Sequence, residues 1–142
     1  MNSLDILFEF EMQIQMIISP FLEKYGFNLN EHNFKNEDFG SSHFKFKKNN
    51  QYIFISLNML PQDSDIGIQT RLWTEEYYST SLSSIIKFKS ATSSHKVYHP
   101  SDKTIESNLI DIRCDLELHL IDYLNGELET YLIVANLTKG KE

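Results

Sequence analysis

The stretch from Ile110 to Leu120, "IDIRCDLELHL", decides the fold, because it satisfies two periodicities at once. Its even positions are all apolar (Ile110, Ile112, Cys114, Leu116, Leu118, Leu120), and its odd positions are Asp111, Arg113, Asp115, Glu117 and His119. Taken alone, that alternation describes a half-buried strand, with Asn125-Gly126 as a hairpin turn. The helical template fits as well: Ile105, Leu109, Ile112, Leu116, Leu120, Tyr123 and Leu124 form one stripe. Length arbitrates, since the pattern runs for about 20 residues and a usual strand for ~5–6. Leu, Glu and Asp dominate rather than β-branched and aromatic residues, Asp102 or Thr104 supplies a cap, and Gly126 a stop. The reading is a helix, followed by a second short helix over "ELETYLIVANL".

Working back towards the N-terminus, Leu4, Leu7, Phe8, Ile14, Ile17, Ile18, Phe21, Leu22 and Tyr25 recur at helical spacing over residues 4 to 25. Pro20 requires a kink or a restart with Ser19 as cap, and Gly26 is a stop. Residues 28 to 42, polar and rich in turn formers, read as a loop. Strands follow. "HFKFKKNN" sets Phe44 and Phe46 against Lys45 and Lys47, which reads as the wet face and protected edge of a strand. "QYIFISLNML" sets Tyr52, Phe54 and Ser56 against Ile53, Ile55 and Leu57, and Asn49-Asn50 makes a tight hairpin between the two. "IGIQTRLW" places Ile66, Ile68, Thr70 and Leu72 on one side of a third strand. "TEEYYSTSLSSIIKFKS" is ambiguous, with Leu82, Ile85 and Ile86 favouring a short helix. The expected fold is therefore α+β over residues 1–142 as a single domain. It has an N-terminal helix, a three- to four-stranded antiparallel sheet, and C-terminal helices packed on one face.

Composition bounds the function. At 142 residues and 41% hydrophobic the chain is long and apolar enough for a real core. Its formal charge of −7 disfavours nucleic acid and suits a basic partner. No apolar run is long enough to span a membrane, and Asp5, Glu9 and Glu11 interrupt the N-terminal apolar segment, which also lacks a basic start; a cytoplasmic location is expected. The one cysteine excludes an internal disulfide, and on the apolar side of its element Cys114 reads as an inert core thiol.

Chemistry-bearing clusters are few. Asp115 and His119, with Asp122 beyond, share a helix face and suggest a divalent-metal or acid/base site. Two ligands from one helix do not complete one, so that face reads as solvated. His95 and His99 stand four apart before Asp102, with Pro100 placing them in a loop and no zincin glutamate beside the first histidine. A metal-dependent enzyme using His95/His99 or Asp115/His119 is the alternative reading. No cofactor motif exists: the five glycines lack phosphate-loop or dinucleotide spacing. "RLWTEEYYSTS" places the only tryptophan, Trp73, beside Glu75, Glu76, Tyr77 and Tyr78, with Asp63 and Asp65 in the preceding turn. Such a cluster fits core closure under a helix, or else aromatic anchors rimmed by acids, a protein-binding surface for a basic partner.

The pieces "FLEKYGF", "YIFISLNMLPQDSDIGIQTRLW", "STSLSSIIKF" and "DLELHLIDYLNGEL" together resemble the small α+β proteins found with bacterial polymorphic toxins, many regarded as immunity proteins. The resemblance implies a cytoplasmic, non-enzymatic protein that binds and neutralises one toxin, and it carries over no binding or catalytic residue. A third reading is an oligomeric scaffold or small-ligand module, self-complementary at the sheet edge or around Trp73.

Overall fold

A computed structural model describes residues 3–35, 40–59, 66–75, 77–90 and 104–137. The ambiguous stretch is a helix, α4 (Ile105–His119). Ile105, Leu109, Ile112 and Leu116 are buried in the core. Leu118 is 73% exposed, so the even-position alternation does not mark the core face. Thr104 caps α4: its hydroxyl accepts from the Ser107 N–H at 3.0 Å, a contact of the kind that stabilises a helix by about 1 kcal/mol. The helix breaks at Leu120, restarts as α5 (Ile121–Leu124), and Gly126, at φ +87°, turns the chain into α6 (Glu129–Leu137).

The N-terminal helix is continuous but irregular. α1 (Ser3–Gln13) passes into a π-helical turn over Ile14–Ile18 and then α2 (Ser19–Glu23). The ladder widens so that the Ser19 N–H reaches the Ile14 carbonyl, and Pro20, which has no N–H to give, falls just past this widened turn in the first turn of α2. Ser19 does not cap, because Ile18 holds the N-cap position with no side-chain bond. Gly26, at φ +91°, ends the segment.

Among the described residues the sheet is antiparallel and has five strands rather than three or four, in the order β1-β2-β3-β4-β5. They are β1 (Asn28–Lys35), β2 (Ser41–Lys48), β3 (Gln51–Met59), β4 (Ile66–Thr74) and β5 (Tyr77–Ser81), followed by α3 (Leu82–Ser90). The expected hairpin joins β2 to β3, with Asn49 at φ 54°. Two strands escape sequence reading. β1 occupies what reads as loop: all eight of its residues are exposed, so it has no buried row to announce it. β5 is five residues long and runs straight into α3.

The helices pack on one face of this sheet. Phe44, Phe46, Ile53, Ile55, Leu57, Ile68 and Leu72 meet Leu7, Phe10, Ile14, Leu109 and Leu116 in one continuous core. Thr70 lies in the same buried row, and its hydroxyl has no hydrogen-bond partner among the described residues. Polar ties fix the C-terminal helices to the sheet end. The Tyr123 hydroxyl lies 2.9 Å from both the Tyr52 and Trp73 carbonyls, Gln51 donates to the Tyr123 carbonyl at 2.7 Å, and Lys48 donates to the Leu124 carbonyl at 2.8 Å. Among the described residues no helix is long and apolar enough to cross a membrane.

Candidate binding surface

Alternation along β2, β3 and β4 sends a second set of side chains to the face away from the helices. Register aligns them in rows. Lys47 lies opposite Tyr52, which lies opposite Trp73; Lys45 lies opposite Phe54, which lies opposite Arg71; His43 lies opposite Ser56, which lies opposite Gln69. Together they form an aromatic and cationic patch. Tyr52 and Phe54 have ring centroids 4.7 and 6.1 Å from that of Trp73. The Lys45 ammonium sits 5.0, 5.6 and 5.8 Å from the Tyr52, Phe54 and Trp73 rings, each within cation–π range. Beside them lies a shallow hollow of about 590 Å³, open to solvent. Its described lining comes entirely from β2, β3, β4 and β5 and includes Phe54, Arg71, Trp73 and Ser79.

Polar contacts hold the patch in place. Arg71 donates from Nη2 to the Ser79 Oγ at 2.8 Å. Tyr52 donates its hydroxyl to Glu75 Oε1 at 2.7 Å, and the Lys47 ammonium lies 4.0 Å from the same carboxylate. Lys45 pairs with Glu31 of β1 at 3.2 Å. The Asn33 amide first, and then Lys45, hold the Glu31 carboxyl below its ordinary range. His43 is held below its ordinary value by burial, and then by the charges of Lys35 and His32, which favours its neutral form. Among the described residues, the cations of the hollow and its rim are Lys45, Lys47 and Arg71, with the Glu31 and Glu75 carboxylates beside the two lysines.

Of the residues expected at a binding surface, Trp73 and Glu75 are brought together through Tyr52. Asp63, Asp65 and Glu76, and the side chains of Tyr77 and Tyr78, lie outside the described residues, as do His95 and His99. Sequence reading missed Tyr52, Phe54, Lys45, Lys47 and Arg71 as members of one patch. Lys45 and Lys47 do not protect a sheet edge, because β1 pairs outside them. The signal was present for part of this. A hairpin turning at Asn49-Asn50 sets 47 against 52 and 45 against 54, which puts lysines over aromatic rings.

The carboxylate–histidine face of α4 differs from expectation. Asp115 is buried rather than solvated, as is Asn108, whose side-chain amide donates to the Thr104 carbonyl at 2.9 Å. Cys114, expected in the core, is exposed. The cause is the same for all three: on a helix whose core stripe runs through Leu109, Ile112 and Leu116, positions 108 and 115 flank that stripe and 114 falls outside it. Asp122 lies beyond the break at Leu120 and pairs with Lys89 at 3.0 Å; Lys89 also donates to the His119 carbonyl. Among the described residues no three His, Cys, Asp or Glu side chains converge as metal ligands would. Comparison of the chain with protein-family models, with curated proteins and with solved structures gives no match.

Proposed function

We propose that this chain is a non-enzymatic binding protein of the immunity type, which neutralises a cognate bacterial toxin by docking it on the helix-free face of the sheet. The observation that carries the reading is the Trp73 patch: three clustered aromatic rings under one lysine, beside a hollow lined by strands. Trp, Tyr and Arg at the centre of a well-packed patch are the residues from which interface hot spots are built. The net charge of −7 favours long-range approach of a basic protein. At short range Lys45 and Arg71 call for one or more carboxylates at the centre of the partner's patch, with apolar groups against Trp73 and Phe54.

The direct test is co-expression with the product of the gene adjacent to its own. The expected result is relief of growth inhibition and a one-to-one complex whose association slows as salt is raised. Trp73→Ala should weaken that complex by about 30-fold or more, the scale of a hot-spot residue at ~2 kcal/mol. A folded Trp73→Ala variant that binds and protects as well as the parent would remove the sheet face from the proposal.

A further inference from the structure

The chain's other unusual surface is the outer edge of the sheet, and it goes beyond the docking face. Among the described residues β1 pairs with β2 alone, so its second set of backbone N–H and C=O groups lines an exposed strand of eight residues. Such edges are normally protected by charge, by bulges or by brevity. This one has a bulge, between Leu29 and Glu31, but the segment from Glu31 to Lys35 is regular. The flank beneath it is mixed, with His32 paired to Glu11 of α1 at 2.9 Å and an apolar part at Phe34. Phe34 is 37% exposed and stacks on Phe8 of α1, itself 53% exposed, with centroids 5.9 Å apart and rings within 9° of parallel. Charged residues alone would suffice to keep the edge solitary; a stacked, half-exposed phenylalanine pair beneath it works against that.

We infer that β1 is a self-association edge, at which two copies of this chain join antiparallel across a two-fold axis through Asn33. Register and charge select that axis. Glu31, Asn33 and Lys35 lie opposite Lys45, His43 and Ser41 and so share the face away from the helices, while His32 and Phe34, opposite Phe44 and Ser42, share the helix side. A two-fold axis between residues would set inward side chains opposite outward ones, which the pleat forbids. An axis at His32 sets Glu31 against Asn33 and runs the bulge into the pairing. An axis at Asn33 sets Glu31 opposite Lys35 of the second copy and Lys35 opposite its Glu31, two opposite-charge pairs made by one symmetry operation. On the helix side the same axis sets His32 opposite Phe34 of the second copy. It brings the two Phe34 rings to diagonal neighbours, about 7–8 Å apart, where aromatic side chains reach one another. The two Phe8–Phe34 stacks then close over the junction, and the two sheets become one of ten strands with both Trp73 patches on the same side.

Sedimentation equilibrium of the full-length chain, from micromolar to near-millimolar concentration, tests this. The parent should be a reversible dimer. Lys35→Glu sets two carboxylates against each other at both cross-strand pairs, and Glu31→Lys sets two ammonium groups there. Each variant alone should dimerise at least about ten-fold more weakly. Mixed in equal amounts, the two should recover a heterodimer, because every cross-strand pair then joins an acid to a lysine: one copy offers two acids and the other two lysines. A fold damaged by substitution does not recover on mixing. A parent that stays monomeric throughout the range overturns the inference. So does a Lys35→Glu variant as dimeric as the parent, or a mixture no more associated than its components.

Discussion

Tyr123 ties the C-terminal helices to the strands that carry the aromatic patch, and replacing it with Phe removes one oxygen atom from that tie. The ring is 1% exposed and keeps its contacts with Phe27 and Tyr131, so packing is preserved. Lost are the hydroxyl contacts to the Tyr52 and Trp73 carbonyls. A net hydrogen bond contributes about 0.5–1.5 kcal/mol, and a buried acceptor left unmatched costs about 1–3 kcal/mol, so Tyr123→Phe should lose roughly 1–2 kcal/mol at neutral pH. Urea unfolding followed by the fluorescence of Trp73, the single tryptophan, reads that loss directly. pH supplies a second, sharper readout. Burial first, and then Tyr131, push the Tyr123 phenol well above its ordinary 10.0. A group whose pKa is raised on folding contributes stability that is complete below its unfolded pKa and is lost as pH rises towards the folded value. Above pH 10 the parent should therefore lose about 1.4 kcal/mol per pH unit that the variant does not lose. The stability gap between them should close near pH 11. A gap below about 0.3 kcal/mol at pH 7, or one that stays constant up to pH 11, would refute the tie, since both effects follow from one buried hydroxyl.

Three further outcomes test the fold by measurement. Leu116→Ala should cost about 2–5 kcal/mol in urea unfolding, whereas Leu118→Ala should stay within about 0.5 kcal/mol; a strand over 110–120 would make the two alike. Thr70→Val removes a buried hydroxyl without a described partner and should raise stability by about 1 kcal/mol, seen as a higher urea midpoint at constant slope. Cys114 is exposed, so a thiol reagent such as Ellman's should modify the native protein with a stoichiometry near one and at a rate that denaturant scarcely changes.

The parts of the fold that sequence reading reached share a physical property: their pattern is imposed by burial. α1, β2, β3, β4 and α4 each bury one stripe or row, and burial leaves its period in the residues. β1 has no buried row, so "NLNEHNFK" carries no period and reads as loop. Its strand conformation comes from pairing with β2, an interaction between backbones. Asp115 and Cys114 show the limit in another form. A template that counts only apolar letters puts every polar residue outside and every apolar one inside. On the helix Asp115 borders the buried stripe and is drawn in, while Cys114, one residue back, falls on the opposite side and is exposed. The aromatic and cationic patch was half legible: hairpin arithmetic joins Lys45 and Lys47 to Phe54 and Tyr52. Joining Trp73 and Arg71 to them requires the register of β3 on β4, which the length of the intervening turn does not set.

The patch and the core are two sides of the same residues. Tyr52 and Trp73 send their rings to the face away from the described helices, and their carbonyls take the Tyr123 hydroxyl from the helix side. The backbone beneath the rings is thus held from behind, and the rings are held by one another and by Lys45. Association ordinarily loses free energy to the ordering of side chains, on the order of 0.5–1.5 kcal/mol for each one immobilised. Here that ordering is largely complete before any partner arrives. The state of Lys45 sharpens the consequence. Its side chain is only 20% exposed, backed by three rings and paired with Glu31 at 3.2 Å, so its charge is already partly removed from water. A carboxylate that reaches it meets a weakly hydrated cation and gains more than it would from an exposed lysine such as Lys47. It must also share that cation with Glu31, which places a geometric demand on the partner. In the proposed complex, selectivity then rests on where the partner holds its carboxylate relative to its apolar groups, and total charge governs only how fast the two meet.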